Sequence, residues 1–285
     1  PSDNPLILHI SQISELRPIV RETPAAAQKL MDSFRPGPLT MIFPKTDIVP
    51  DSVTGGLDTV AVRFPSNPVA MALIRAAGLP IAAPSANASG KPSPTRASHV
   101  AFDLDGKIDM ILDGGAAEWG LESTIVDVSV TPPMILRPGA ITKEMMKTFV
   151  GEVTVDPAIL QKPQEGLRPK APGMKYRHYA PKAPVTVVQG APAAAARYIQ
   201  AHMAPGDGVI CFDEYAGLFA GHPLEQLGPS TDVPEQARRV FEALRWFDGT
   251  GVSRIWAQCP AAAGIGLAVA NRLNKAAGFH IVRAE

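Results

Sequence analysis

Short apolar runs alternate with amphipathic stretches along most of the chain, and prolines and glycines separate them. The 285 residues include 29 prolines and 24 glycines. This alternation is typical of α/β proteins, in which strands and helices pack in layers. The strand-like runs are residues 6–10, 39–43, 59–64, 79–83, 108–112, 124–128, 134–136, 185–188, 208–212 and 254–257.

Capping residues predict where several helices begin and end. Asn67 before Pro68 predicts a helix start, and Gly78 predicts the end of that helix. Thr23 and Thr142 are predicted to cap two further helices. In the last hundred residues, helical patterns at 193–203, 234–247 and 267–277 alternate with strand-like runs, which favours a mostly parallel sheet.

The length and a change in composition predict two domains. A chain of 285 residues suits two domains of roughly 100–200 residues each. Residues 156–184 are rich in proline, lysine and glycine and show no periodic apolar face, which is typical of a linker. We therefore predict domains at 1–155 and 185–285 that are joined by this linker.

Composition excludes several classes of protein. Lysine plus arginine and aspartate plus glutamate both number 27, so net charge gives no general attraction to nucleic acid. No apolar run is long enough for a membrane span, and we expect a cytoplasmic protein without membrane contact. Cys211 and Cys259 lie in apolar runs, which indicates buried thiols; a reactive thiol or a metal ligand is the alternative.

The loop after residue 83 is the first candidate for ligand chemistry. Residues 83–95, APSANASGKPSPT, follow an apolar run and precede a helical pattern. Small hydroxyl residues, an amide and a glycine let backbone N–H groups converge on an anion beside a helix N-terminus. The alternative is an ordinary polar loop in which Ser93 or Thr95 caps the helix.

Polar residues at the ends of apolar runs are the second group of candidates. Arg63 and Arg137 each end such a run, and a guanidinium there suits a carboxylate, a phosphate or a structural ion pair. Ser123 follows Gly120 and could bind an anion or belong to a tight turn. His9 ends the first run and could bind a ligand or simply pack in the core.

The linker carries a third candidate. Residues 172–181, PGMKYRHYAP, are both basic and aromatic. Such a stretch could close over a site, bind nucleic acid by stacking and charge, or be a solvated face. Phosphate-binding P-loops, GxGxxG turns, zinc-ligand clusters and GxSxG elbows are absent from the sequence. Any nucleotide site must therefore be of another type.

Taken in order, these motifs resemble one family over nearly the whole chain. They are PGPLT at 36–40, VRFP at 62–65, PSANASG at 84–90, ESTIVD at 122–127, LRPG at 136–139 and GMKYRHYAP at 173–181. The sequence resembles the YrdC-like threonylcarbamoyl-AMP synthase family in its long form, which has an extra C-terminal domain. The resemblance implies a YrdC-like twisted mixed sheet with a large cavity, plus a smaller Rossmann-like C-terminal α/β domain.

The resemblance also implies a reaction. L-threonine and bicarbonate form a carbamate that attacks the α-phosphate of ATP, giving threonylcarbamoyl-AMP and pyrophosphate, a nucleotidyltransferase reaction. The implied cofactor is Mg²⁺ with ATP. The implied partner is a downstream tRNA threonylcarbamoyl transferase, and direct tRNA contact is left open. The alternatives are an RNA-binding module of YrdC-like fold and carbamoyl transfer to another acceptor.

By the family pattern, each candidate residue receives a role in substrate positioning, and none a covalent one. L-threonine would be bound by His9, Arg63, Ala83 and Ser123. ATP would be bound by Asn4, Thr59, Ser85, Asn87, Ser93, Arg137, His178 and Tyr179, the last two closing from the linker as a lid.

The sequence departs from the family pattern at its start. The family carries a Pro-Thr-Glu-Thr-Tyr-Gly-Leu-like segment and a Lys-x-Arg pair ahead of the position of Pro1, and both line the site. We therefore expect the sequence to be an incomplete record that lacks the N-terminal part of domain 1–155.

Overall fold

The computed structural model describes residues 4–159, 161 and 178–285, and these form two compact units. The first unit contains residues 4–85 and 122–159, and the second contains 86–121 and 178–285. The sequence had assigned residues 86–121 to domain 1–155. In the structure they contact the C-terminal part of the chain, through hydrogen bonds that sequence patterns do not reveal. Most of the linker and of the basic stretch at 172–181 lies outside the described residues.

The first unit is built on a mixed seven-stranded sheet, in the order β4-β1-β3-β2-β5-β6-β7. Its strands are β1 (Ile7–His9), β2 (Leu39–Pro44), β3 (Thr59–Arg63), β4 (Ile81–Ala83), β5 (Thr124–Asp127), β6 (Met134–Arg137) and β7 (Thr154–Val155). Ile42, Ile125 and Leu136 belong to a buried apolar cluster on this sheet. The predicted mixed sheet is confirmed.

The second unit contains a five-stranded sheet in which all pairs are parallel, in the order β10-β9-β11-β8-β12. Its strands are β8 (Val185–Gln189), β9 (Asp207–Cys211), β10 (Leu224–Gln226), β11 (Arg254–Gln258) and β12 (Ile281–Arg283). The predicted parallel layer is confirmed. Its order differs from the classical Rossmann order because β11 lies between β8 and β9.

Helices cover both sheets. They are α1 (Ala25–Phe34), α2 (Asp51–Thr54), α3 (Pro68–Ala77), α4 (Ala97–Leu104), α5 (Lys143–Val150), α6 (Pro192–His202), α7 (Val233–Trp246) and α8 (Ile265–Ala276). Among the described residues, no helix combines the length and the apolar character that crossing a membrane requires.

The predicted caps are confirmed at two helices. The Asn67 side chain accepts hydrogen bonds from the backbone N–H groups at the start of α3, and Gly78 ends this helix with φ of 66°. The Thr142 hydroxyl accepts a bond from the Met145 N–H at 3.3 Å. The prediction for Thr23 is wrong, because Pro24 occupies the N-cap of α1 and no side chain caps it.

One predicted strand does not form, and three short strands were not predicted. Residues 108–112 contain no strand, and Ile108, Met110 and Leu112 are exposed. Apolar residues form a strand only where a neighbouring strand pairs with them. The strands β7, β10 and β12 have only two or three residues, too few for a recognisable period.

Candidate functional site

Neighbouring strands of the first unit each bring a polar residue to the same end of the sheet. In the register of the sheet, His9 on β1 lies opposite Arg63 on β3, and Arg63 lies opposite Thr40 on β2. Residues that pair across adjacent strands point to the same face. Hydrogen bonds extend this set of residues to Ser123, directly before β5, and to Arg137, at the end of β6. We call these five residues the polar row.

Ser123 joins the two halves of the polar row. Its hydroxyl lies 2.8 Å from the Thr40 hydroxyl, and it accepts a bond from Arg137 Nη2 at 3.1 Å. Arg137 Nε also donates to the Ser123 carbonyl at 3.0 Å. A Cβ at Gly139 would lie 2.6 Å from the Thr124 backbone nitrogen, so only glycine allows this approach. The ESTIVD and LRPG motifs are therefore in direct contact.

Arg63 carries the unbalanced charge of the row. Its Nε donates to the Gly37 carbonyl at 3.1 Å. Within the described part of the chain it forms no ion pair with a carboxylate. Burial, together with the nearby Arg137 charge, lowers the pKa of Arg63 to about 10. A partly buried cation beside a second cation is stabilised by an anion, so this position suits a carboxylate or a phosphate.

His9 stays neutral beside this charge. Burial and the Arg63 charge lower the pKa of His9 to about 4, although hydrogen bonds to the Ile81 and Ile7 backbone oppose this shift. Its Nδ1 lies 3.1 Å from the Ile7 carbonyl. A neutral imidazole at neutral pH adds a hydrogen-bonding group to the row without adding positive charge.

Four other predicted residues of the first unit lie away from Arg63. Thr59 begins β3, four residues before Arg63, which is about 13 Å along a strand. Ala83 on β4 lies opposite Ile7, the first residue of β1, and Ser85 follows it. Asn4 precedes β1. The sheet brings together His9, Arg63, Ser123 and Arg137. It does not place Asn4, Thr59, Ala83 or Ser85 beside them.

Two predicted ATP ligands lie in the loop of the second unit. The Asn87 amide nitrogen donates to the carbonyls of Ala88 and Lys91 at 2.9 and 3.2 Å. Its Oδ1 is buried and has no hydrogen-bond partner among the described residues. Ser93 is buried, and its carbonyl accepts a bond from Arg245. The loop is held from within and from helix α7.

The remaining two, His178 and Tyr179, lie together in the second unit. Their rings are 5.6 Å apart. The Tyr179 ring packs 5.0 Å from the Phe241 ring and 5.7 Å from the Arg272 guanidinium. Its backbone has φ of 64°, which is unusual for a residue other than glycine. The structure shows the Tyr179 ring in the core of this unit, and its contact with a nucleotide stays a prediction.

The described residues contain no group of three or more His, Cys, Asp or Glu that could hold a metal ion. Cys211 and Cys259 are buried, as predicted. Burial raises the pKa of both thiols to about 12, and the charges of Asp213 and Glu214 add to the shift at Cys211. Both are therefore protonated at neutral pH and unsuited to nucleophilic attack.

Sequence reasoning missed three polar residues that organise these regions. Thr40 is the last residue of the PGPLT motif, which received no site role, and it is the only hydroxyl residue in β2. Asp103 and Arg245 lie in amphipathic helices, where charged residues are ordinary. A charged residue on the apolar side of a helix is the one sequence signal that could have identified Asp103 and Arg245.

A mixed sheet with a cationic polar row, together with a parallel α/β layer, defines an α/β protein of two compact units. The Sua5_yciO_yrdC family model, described as telomere recombination, matches residues 1–139. The model for the threonylcarbamoyl-AMP synthase C-terminal domain matches residues 141–278. The chain belongs to the threonylcarbamoyl-AMP synthase family, and the predictions of the family and of an enzyme are confirmed.

Relatives from distant organisms show the same similarity. The threonylcarbamoyl-AMP synthase of Bacillus subtilis is 46% identical over 99% of this chain and 82% of the relative. That of Pyrococcus abyssi is also 46% identical, over 99% of this chain and 83% of the relative. The crystal structure of P. abyssi Sua5 complexed with L-threonine matches with a TM-score of 0.93 and 45% identity, covering 100% of this chain and 83% of that one.

Proposed function

We propose that this chain makes threonylcarbamoyl-AMP from L-threonine, bicarbonate and ATP, and that the polar row binds L-threonine. The product would pass to a tRNA threonylcarbamoyl transferase for modification of tRNA. The observation that carries the proposal is Arg63, a partly buried cation without a carboxylate partner among the described residues. A carboxylate fits its planar fork with two hydrogen bonds. The relative whose fold matches was crystallised with L-threonine.

The chemistry asks the protein to position groups rather than to form covalent bonds. The threonine amine adds to the carbon of bicarbonate and water leaves, which gives a carbamate. A carbamate oxygen then attacks the α-phosphate, and the bond to pyrophosphate breaks. Correct positioning alone can lower a barrier of this kind by roughly 7–11 kcal/mol.

The polar row supplies this positioning at one end of the sheet. In the proposal, Arg63 holds the threonine carboxylate, and the neutral His9 and the Ser123 hydroxyl orient the amino acid. Arg137, which is bonded to Ser123, offsets negative charge that develops at the phosphate. The contacts of ATP with Asn4, Thr59, Ser85, Asn87, Ser93, His178 and Tyr179, and of threonine with Ala83, are part of the same proposal.

Mg²⁺ would enter the site together with ATP. This ion prefers phosphate oxygens, waters and one or two carboxylates. The described residues offer no cluster of metal-binding side chains. We therefore propose that the ATP phosphates hold the ion. Mg²⁺ would contribute by neutralising phosphate charge when bound.

A pyrophosphate assay tests the proposed function. The protein is incubated with bicarbonate, MgATP and L-threonine, and pyrophosphate and threonylcarbamoyl-AMP are measured. We expect release that depends on both threonine and bicarbonate. Serine, glycine and simple amines replace threonine in parallel reactions, so that preference for another amine would indicate the alternative acceptor. Absence of threonine-dependent pyrophosphate would refute the proposal. The RNA-binding alternative depends on residues 170–182, most of which lie outside the described residues.

A further inference from the structure

The loop that carries Asn87 and Ser93 is held at both ends by one ion pair. Asp103, at the end of α4, accepts a bond from the Ala88 N–H at 3.1 Å. Arg245, at the end of α7, donates to the carbonyls of Pro92 and Ser93. Arg245 also binds both carboxylate oxygens of Asp103, at 2.8 and 3.3 Å. The loop ends are thus joined through Arg245 and Asp103.

This ion pair is buried. The Arg245 side chain is 10% exposed and the Asp103 side chain is 4% exposed. Desolvation by burial would raise the pKa of Asp103, but hydrogen bonds from Arg245 and from the Ala88 N–H outweigh it and lower the pKa. Two-pronged arginine–carboxylate pairs fix geometry as well as charge, because the fork has one planar arrangement.

A second set of contacts holds the middle of the same loop. Lys91 forms an ion pair with Asp248, just beyond α7, at 2.7 Å. The other oxygen of Asp248 accepts a bond from the Lys182 N–H. The Gly90 carbonyl accepts a bond from the Ala180 N–H at 2.9 Å. The loop is therefore bonded to the chain that directly follows Tyr179 as well as to α7.

We propose that Arg245 and Asp103 are positioning residues, which hold residues 87–93 in the conformation that binds ATP. This gives the C-terminal domain a role in nucleotide binding. The inference rests on the proposed function, because that function assigns Asn87 and Ser93 to ATP. The contacts of Arg245 and Asp103 with both ends of the loop support it, because they fix the backbone on either side of Asn87 and Ser93.

The test removes the clamp without leaving a buried charge. The double variant Asp103→Asn with Arg245→Gln keeps similar volumes and has no net charge change. Calorimetry measures the dissociation constants of ATP and of L-threonine separately, and hydrogen exchange measures the protection of amides 88–95. We expect ATP affinity to fall by roughly ten- to a hundred-fold. Threonine affinity should be unchanged, and exchange in the loop should be faster.

Matched variants make the result specific. Arg238→Gln changes another α7 arginine, 49% exposed and paired with Glu235, and should alter neither affinity. Arg245→Lys keeps the charge without the fork and should give an intermediate loss of ATP affinity. If the double variant fails to unfold cooperatively, Arg245→Lys provides the same readings with the ion pair's charges kept.

The outcomes separate this inference from the proposed function. Unchanged ATP affinity in a variant whose amides 88–95 exchange faster than in wild type would overturn the inference. Equal weakening of ATP and threonine, with a lower melting temperature, would overturn it too, because it would show general destabilisation. Wild-type protein that binds ATP but releases no threonine-dependent pyrophosphate would refute the proposed function. The ATP affinities of wild type and the double variant could still be compared.

Discussion

Arg63 in the first unit and Arg245 in the second are two partly buried arginines in opposite electrostatic settings. Arg245 pairs with a buried carboxylate and with two backbone carbonyls. Arg63 bonds one carbonyl, and the charge that most affects it is another arginine, Arg137. Removing one partner of a buried ion pair leaves the other charge buried and unpaired, which destabilises the fold, whereas removing a cation that has no anionic partner leaves no such charge. The comparison sets the proposed clamp at Arg245 against the proposed ligand site at Arg63.

The largest expected effect is on stability. Arg245→Ala leaves Asp103 as a buried, unpaired carboxylate, and we expect the free energy of unfolding to fall by about 3–5 kcal/mol. Arg63→Ala removes repulsion with Arg137, so in ligand-free protein it should cost less than about 1 kcal/mol or even stabilise. Urea unfolding at neutral pH measures both values.

A third variant controls for the loss of an ion pair as such. Arg96 pairs with Glu242 on α7 at 3.3 Å, but the two side chains are 55% and 45% exposed. Exposed pairs contribute about 0–1 kcal/mol, so Arg96→Ala should remain in that range. If Arg63→Ala lowered the free energy of unfolding as much as Arg245→Ala, the distinction between a paired and an unpaired arginine would fail. Such a loss would show that Arg63 also has a structural partner.

The second prediction concerns L-threonine affinity, for which the larger effect is expected at Arg63. Arg63→Ala should weaken L-threonine binding by about 1.5–3 kcal/mol, the usual value for a hydrogen bond to a charged group. This corresponds to a dissociation constant raised roughly 10- to 150-fold. Arg63→Lys keeps the charge but not the fork, and it should lose less. Calorimetric titration with L-threonine measures each constant.

The control is an arginine of the same unit that lies on the surface. Arg21 is 58% exposed and lies 3.8 Å from Asp47, so Arg21→Ala should leave the threonine constant unchanged. Equal affinities for Arg63→Ala and wild type would remove Arg63 from the site and leave the polar row without its proposed ligand.

Local chemistry explains why much of the fold was predictable from the sequence. The caps at Asn67, Gly78 and Thr142 act within one turn of a helix, so neighbouring residues are enough to reveal them. The strands around Arg63 and Arg137 are continuous apolar runs bounded by turns. Short edge strands and the unpaired run at 108–112 were mispredicted because pairing depends on distant segments.

Four members of the polar row were recognisable as candidates one residue at a time, but the contacts between them were not. A polar residue at the end of an apolar run marks His9, Arg63, Ser123 and Arg137 as candidates. Only the register of the sheet shows that Thr40 lies between Arg63 and Ser123. The contact between Asp103 and Arg245 joins residues 142 positions apart, and no local pattern encodes it. Long-range pairing therefore decides which charges are compensated.

The smallest expected effect concerns His9 and sharpens the electrostatic description of the polar row. The pKa of His9 is lowered from 6.5 to about 4 in the folded protein, by burial and then by the Arg63 charge. Below pH 6.5 the unfolded chain binds a proton that the folded protein does not bind until about pH 4. The contribution of His9 to the free energy of unfolding is therefore fully present above pH 6.5, and it is lost as the pH falls toward 4.

The measurement is urea unfolding at pH 4.5 and pH 7 for wild type and His9→Asn. The loss of stability between the two pH values should be greater in wild type by roughly 2–2.5 kcal/mol. Saturating L-threonine should raise the pKa of His9 in NMR titrations, because a bound carboxylate offsets the Arg63 charge. An unmoved His9 pKa with threonine bound would show that the carboxylate lies elsewhere, and that the charge of Arg63 is balanced by something other than this substrate.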